Sequence, residues 1–225
     1  MRRMLLLFLL ISLMFYTASA QMDDNLRLQL EVRFANLDRI AKALDVSMDA
    51  LASYIASING DTSKLKEFKS GFESKAADLK TAKSNLEIDS KAKATAEKVG
   101  FFWEEYKVQF DANKGNLFLA LKQLSDALKA AKPELDSMTG KYWQVRKDNA
   151  LQIYDNDVEA AQKIVDLLQK YKCKTQMDSK LEEIKSSRSE LESALYSKNE
   201  IQIINTQSKI ILLAQQLGDF AAGKC

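Results

Sequence analysis

Histidine is absent from the 225-residue chain. That removes the side chain most used for acid–base catalysis near neutral pH, and the commonest metal ligand. Ser–His and Cys–His nucleophile activation are excluded, as are zinc sites that need an imidazole. Proline occurs once, at Pro133, and glycine only seven times. Sustained period-2 alternation is missing, while Ala, Leu, Lys, Glu and Gln dominate, so the composition excludes a sheet and favours helices. No glycine-rich phosphate loop occurs, and the Asp155/Asp157 pair lacks the glycine and terminal glutamate of a calcium loop. The neighbours Glu104–Glu105 and Glu182–Glu183 point about 100° apart on a helix, so they read as solvated faces and not as paired catalytic acids. No catalytic residue, cofactor or metal is assigned, and the chain is expected not to be an enzyme.

What is present begins with an address. Met1-Arg2-Arg3 is a short basic region, Leu5 to Tyr16 is an apolar run broken only by Ser12, and Ala18-Ser19-Ala20 supplies small residues at a peptidase site. Residues 1–20 read as a cleavable signal peptide with Gln21 as the new N-terminus. The run is short for the ~20 residues that cross a bilayer, and no later run is longer. The expected product is therefore secreted, or held in the periplasm or cell envelope, with no transmembrane segment. Cleavage would also remove Arg2 and Arg3, leaving 31 basic and 31 acidic residues. A neutral surface with interspersed signs has no long-range pull on phosphate backbones, so nucleic acid is not an expected partner.

The remaining residues, 21–225, read as one helical domain. Leu30, Phe34, Leu37, Ala41, Leu44, Met48, Leu51, Ile55 and Ile58 step by four and three without a slip, the repeat of a coiled-coil seam. Asn59-Gly60 ends that helix, with glycine expected to take the left-handed conformation. Asp61, Thr62 or Ser63 caps a return helix carrying Leu65, Phe68, Phe72, Ala76, Leu79, Ala82 and Leu86, which makes residues 23–88 a helical hairpin. Central helices occupy 89–172. The first runs from Asp89 or Ser90 towards Ala131 along Val99, Trp103, Tyr106, Phe110, Leu117, Leu121, Leu124 and Leu128, with Asn113–Asn116 as a candidate break. Pro133 is placed in the first turn of the next, which ends near Lys172. Ser179 and Glu182 form a capping box opening a C-terminal hairpin over 178–222, whose last helix starts near Lys198. The fold class is all-α: an elongated antiparallel helical bundle with coiled-coil-like packing and five to seven helices.

Three further features bear on function. Residues 63–70 (SKLKEFKS) and 179–186 (SKLEEIKS) agree at six of eight positions, through duplication of a hairpin or through the small alphabet of helical bundles. Cys173 and Cys225 are the only thiols. The antiparallel order of the last helices brings them to the same end of the bundle, so a disulfide between them is expected in an oxidising compartment. The segment 99–110 is unusually aromatic: Phe101, Phe102, Trp103, Tyr106 and Phe110, with Trp143 across from it, form either core or an apolar binding patch. The expected function is binding, spacing or scaffolding of proteins through helix-to-helix contacts. The alternatives are a periplasmic holdase-type chaperone and a carrier of an apolar ligand or lipid through 99–110.

Overall fold

The computed structural model describes the backbone of residues 2–168 and 172–224 and the side chains of 23–168 and 172–224. Among the described residues there are six helices and no strand: α1 (Arg2–Ser57), α2 (Ser63–Leu79), α3 (Asn85–Ala112), α4 (Leu117–Leu167), α5 (Lys174–Tyr196) and α6 (Glu200–Ala221). They pack on one another as a helical bundle. The segment read as a signal peptide lies in the first turns of α1, and its side chains are outside the described residues.

The chain divides into two compact units, Leu30–Tyr142 on one hand and Met1–Gln29 with Trp143–Cys225 on the other. In the unit 30–142, cross-helix partners fix the directions. Lys69 on α2 meets Asp45 at 2.9 Å and Asp49 at 3.1 Å, and Lys80 meets Asp38 at 2.9 Å, so α1 and α2 are antiparallel. Arg33 bonds Asn85 and Asp89 at the start of α3, while Tyr54 lies against Phe110 near its end, so α3 runs parallel to α1. Lys42 meets Glu134 at 3.2 Å, and the Tyr54 hydroxyl donates to the Asn116 carbonyl at 2.8 Å, so α4 runs back. The result is an up-down-up-down four-helix bundle. Met48, Tyr54, Ile55, Leu65, Phe72, Phe102, Tyr106 and Ala120 form its core, with Ala41, Leu44, Leu51 and Ile58 of the predicted seam packed around them.

The other unit follows the same recipe. The second part of α4 is followed by the α5–α6 hairpin. The Tyr154 hydroxyl bonds the Ile184 carbonyl at 2.9 Å, Lys209 bridges to Glu190 at 2.8 Å, and Arg146 reaches Glu200 at 3.2 Å. A piece of α1 completes it: the Asn149 amide donates to the Leu28 carbonyl at 2.9 Å and the Asn25 amide to Asp157 at 3.0 Å. The core gathers Tyr154, Val165, Met177, Leu181, Ile184, Leu191, Leu195, Ile203, Ile210, Leu213 and Leu217. Each unit thus holds the later part of one long helix, the hairpin that follows it, and an early part of the other long helix. The echoed octapeptides fall at the start of α2 and inside α5, the first helix of each hairpin.

Several boundaries differ from expectation. Helix α2 ends at Leu79, not Leu86, and α3 begins at Asn85. The reason is a capping box: Glu87 N–H donates to Ser84 Oγ at 3.2 Å, and Lys83 N–H donates to the Glu87 carboxylate at 2.8 Å. Leu86, expected in the seam, is left exposed. The chain does break at 113–116. Pro133 does not begin a helix but lies inside the 51-residue α4. Ser179 lies inside α5, which already starts at Lys174 with Cys173 as its N-cap residue. The terminator at the end of α1 is also differently built. Asn59, not Gly60, takes the left-handed conformation (φ 63°), and Gly60 N–H donates to the Ile55 carbonyl at 2.9 Å. Glycine is needed at position 60 for space: a Cβ there would lie 2.5 Å from Ile55 Cγ2. Lys114-Gly115 repeats the device at the end of α3, with φ 53° at Lys114 and a Gly115-to-Phe110 bond of 2.8 Å.

Candidate binding surfaces

The aromatic segment divides between core and surface. Phe102 and Tyr106 are buried in the core of the 30–142 unit, and Val99 and Phe110 pack against it. Phe101 and Trp103 are half-exposed, on either side of that buried line. Phe101 rests on Phe68 of α2, ring centres 5.8 Å apart, with the Lys98 ammonium 5.7 Å from its centre. Trp103 stacks on Tyr106 at 5.5 Å and 16°. Trp143 packs against the core of the other unit. The six residues proposed as one patch are therefore spread over two cores and a surface. Gly100 faces open space, so it mediates no close backbone approach.

The surface features that do gather apolar side chains lie elsewhere. On α4 the predicted seam residues Leu117 and Leu121 are exposed (61% and 54%), and Leu124 and Leu128 are only partly buried. The reason is rotational. At 100° per residue the four leucines share an arc of about 60°, displaced from Ala120, which is the fully buried contact of this stretch. A small alanine lets α4 lie close to its neighbours, and the leucines beside it remain at the rim. Phe118 and Leu119 extend this surface at the start of the helix, 74% and 50% exposed. A shallow groove of about 440 Å³ runs along Leu121, Leu124, Ser125, Leu128 and Leu135, edged by Lys129, Lys132 and Asp136.

The second surface is on α6. Ile203, Ile210, Leu213 and Leu217 are buried in the hairpin. Ile201, Ile204, Ile211 and Leu212 are all more than half-exposed. They fall within an arc of about 100° on the opposite side of the same helix. Between 201 and 216 the only charged residue is Lys209; Gln202, Asn205, Gln207, Ser208, Gln215 and Gln216 supply the polar positions. Helix α6 is thus apolar on two faces, one of them uncovered.

Lys69 and Tyr106 of the 30–142 unit have perturbed ionisation. Lys69 sits between Glu73, Asp45 and Asp49. Burial works against its charge, but the bonds to Glu73, Asp45 and Asp49 outweigh that and hold the ammonium above the ordinary lysine value. The contribution is therefore present throughout the neutral range and would fade only as pH rises through the elevated value. Burial likewise pushes the Tyr106 hydroxyl up, with a smaller push from Tyr54. Among the described residues no group of three His, Cys, Asp or Glu could hold a metal ion, and no helix is long and apolar enough to cross a membrane. Cys173 is fully buried at the start of α5. Its expected partner, Cys225, lies outside the described residues.

The class defined by this geometry is an all-α helical bundle of two units with uncovered apolar helix faces. No protein-family model matches the chain, and neither do the curated proteins or solved structures compared with it.

Proposed function

We propose that the chain is an exported, non-catalytic helical-bundle protein that binds, spaces or scaffolds other proteins in the cell envelope or extracellular space. The observation that carries this reading is the uncovered isoleucine face of α6. A helix with its first apolar stripe already buried has no folding use for a second, and keeping four large aliphatic side chains in water is unfavourable by the area they expose. The occupant we assign is an amphipathic helix of a partner protein. The amide and hydroxyl side chains bordering the face suit hydrogen bonding to such a helix, and the near-absence of charge there suits neither nucleic acid nor an anionic surface. Export rests on the basic, apolar and small-residue order of residues 1–20.

The test is site-specific photo-crosslinking from Ile204 and Ile211, performed in the producing cell. A single protein adduct at both positions, lost when Ile201 is replaced by Gln, supports the reading. Diffuse adducts with many unrelated proteins would replace it with the holdase alternative. An adduct of the chain with itself, or none at either position, would overturn the assigned occupant.

A further inference from the structure

We infer that the start of α4, residues 117–128, docks on an anionic lipid surface. The inference is independent of the α6 reading, since it uses a different face with different chemistry. Leu117, Leu121, Leu124 and Leu128 form one apolar stripe, and Phe118 stands out beside it at the exposed start of the helix. Between residues 114 and 132 the chain carries Lys114, Lys122, Lys129 and Lys132 against a single acid, Asp126.

The arrangement of these charges matters more than their number. At 100° per residue, the arc that holds the stripe has Ala120 on one side and Lys122, Lys129 and Lys132 on the other, about 60–140° from Leu117, with Lys114 in the turn that precedes the helix. The alanine side turns into the bundle, where Ala120 is 1% exposed. The lysine side is open: Lys122, Lys129 and Lys132 are each 65% or more exposed, and the contacts of Lys122 and Lys129 with Asp126 are long, at 3.9 Å. Lys132 is nearer to Asp136, just beyond the stripe. This is the pattern of a helix that lies in an interface, with its apolar side chains in the acyl boundary and its ammonium groups level with the headgroups.

The same charges decide between occupants. A second copy meeting this face two-fold would set one lysine row against another, three lysines to the two aspartates Asp126 and Asp136 in each chain, and like charges across an interface are unfavourable. A surface of phosphate headgroups complements the row directly. The α6 face lacks such a border, which is why it is assigned a protein helix and this one a lipid surface.

The experiment is flotation of the full chain, as processed by the producing cell, with vesicles of phosphatidylcholine alone and of equimolar phosphatidylcholine and phosphatidylglycerol. The wild type should float with the anionic vesicles at low salt and be released by salt. Because Leu121 and Phe118 are more than half-exposed, the L121Q and F118S variants should keep the wild-type helical signal and melting curve. Each should weaken binding about tenfold or more, through loss of apolar burial. K122Q and K129Q should each weaken it about fivefold on anionic vesicles only. Ile204→Gln, on α6, should leave it unchanged. Equal binding to both vesicle types would overturn the proposal, as would binding that none of the α4 variants alters. So would a dimer in sedimentation equilibrium that L121Q dissolves in the absence of lipid.

Discussion

Tyr54 and Tyr106 sit in the same core and differ in one respect. Tyr54 both donates to the Asn116 carbonyl and accepts from the Asn116 N–H, tying α1 to the turn before α4. Tyr106 is 5% exposed and its hydroxyl has no hydrogen-bond partner among the described residues. A buried polar group without a partner costs more than the bond it replaces in water. Tyr106→Phe should therefore leave stability unchanged or raise it by up to about 1 kcal/mol, whereas Tyr54→Phe should lower it by about 1–2 kcal/mol. Urea midpoints with unchanged m-values would measure both. The opposite order would mean that Tyr106 holds a bridging group. Nothing in the sequence distinguishes these tyrosines, because partner satisfaction depends on residues more than fifty positions away.

Helix α4 shows how far an element is legible from its own residues. Its apolar repeat announces a helix on both sides of Pro133, and the local rule for proline places a helix start there. The helix instead passes through, even though an interior proline lacks one amide bond and costs about 3 kcal/mol. Pro133 is exposed, so its ring displaces no core side chain. Tyr142 on the same helix is 8% exposed, and Lys42 joins α1 to Glu134 next to the proline. Tertiary packing on both sides outweighs the local penalty. Pro133→Ala should then raise stability, by about 1–3 kcal/mol, with no change in helix count. A neutral or destabilising result in thermal unfolding would show that a bend at this position is required. The end of α2 teaches the converse. Ser84 and Glu87 are a readable capping box, yet the stronger apolar pattern through Ala82 and Leu86 hides it. There, a local signal decided the boundary against the hydrophobic periodicity.

For the chain as a whole, the two units repeat one plan, and the echo at residues 63–70 and 179–186 sits at matching places in it. Leu65 and Leu181 are both buried, as are Leu79 and Leu195, each pair 116 positions apart. That agreement favours duplication over a chance match of helical alphabets. The segment read as a signal peptide and the two cysteines belong to the same level. If residues 1–20 direct export into an oxidising compartment, intact-mass measurement should give a product beginning at Gln21. Non-reducing peptide mapping should give a Cys173–Cys225 peptide from the monomer. The buried Cys173 leads α5, so Cys225→Ser should speed amide exchange in residues 174–221 while residues 48–72 stay protected. Retained Met1–Ala20, or a dimer that collapses on reduction, would refute this pairing and its compartment.

By itself the sequence determined the all-α class and the α5–α6 hairpin, because each follows from short-range periodicity, helix propensity and turn chemistry. It marked 113–116 only as a candidate break, which the structure decided. It also marked the first seam, since nine apolar residues in strict four-three spacing allow one buried stripe. Which apolar stripes stay uncovered was decided by tertiary structure alone. Leu117 and Leu121 read as seam from spacing, yet they lie on a helix that already buries another face at Ala120, and Ile201 and Ile204 stay uncovered because α6 buries Ile203 and Ile210 instead. A helix turns only one side to its bundle, and which side it turns depends on the volumes of side chains contributed by other helices.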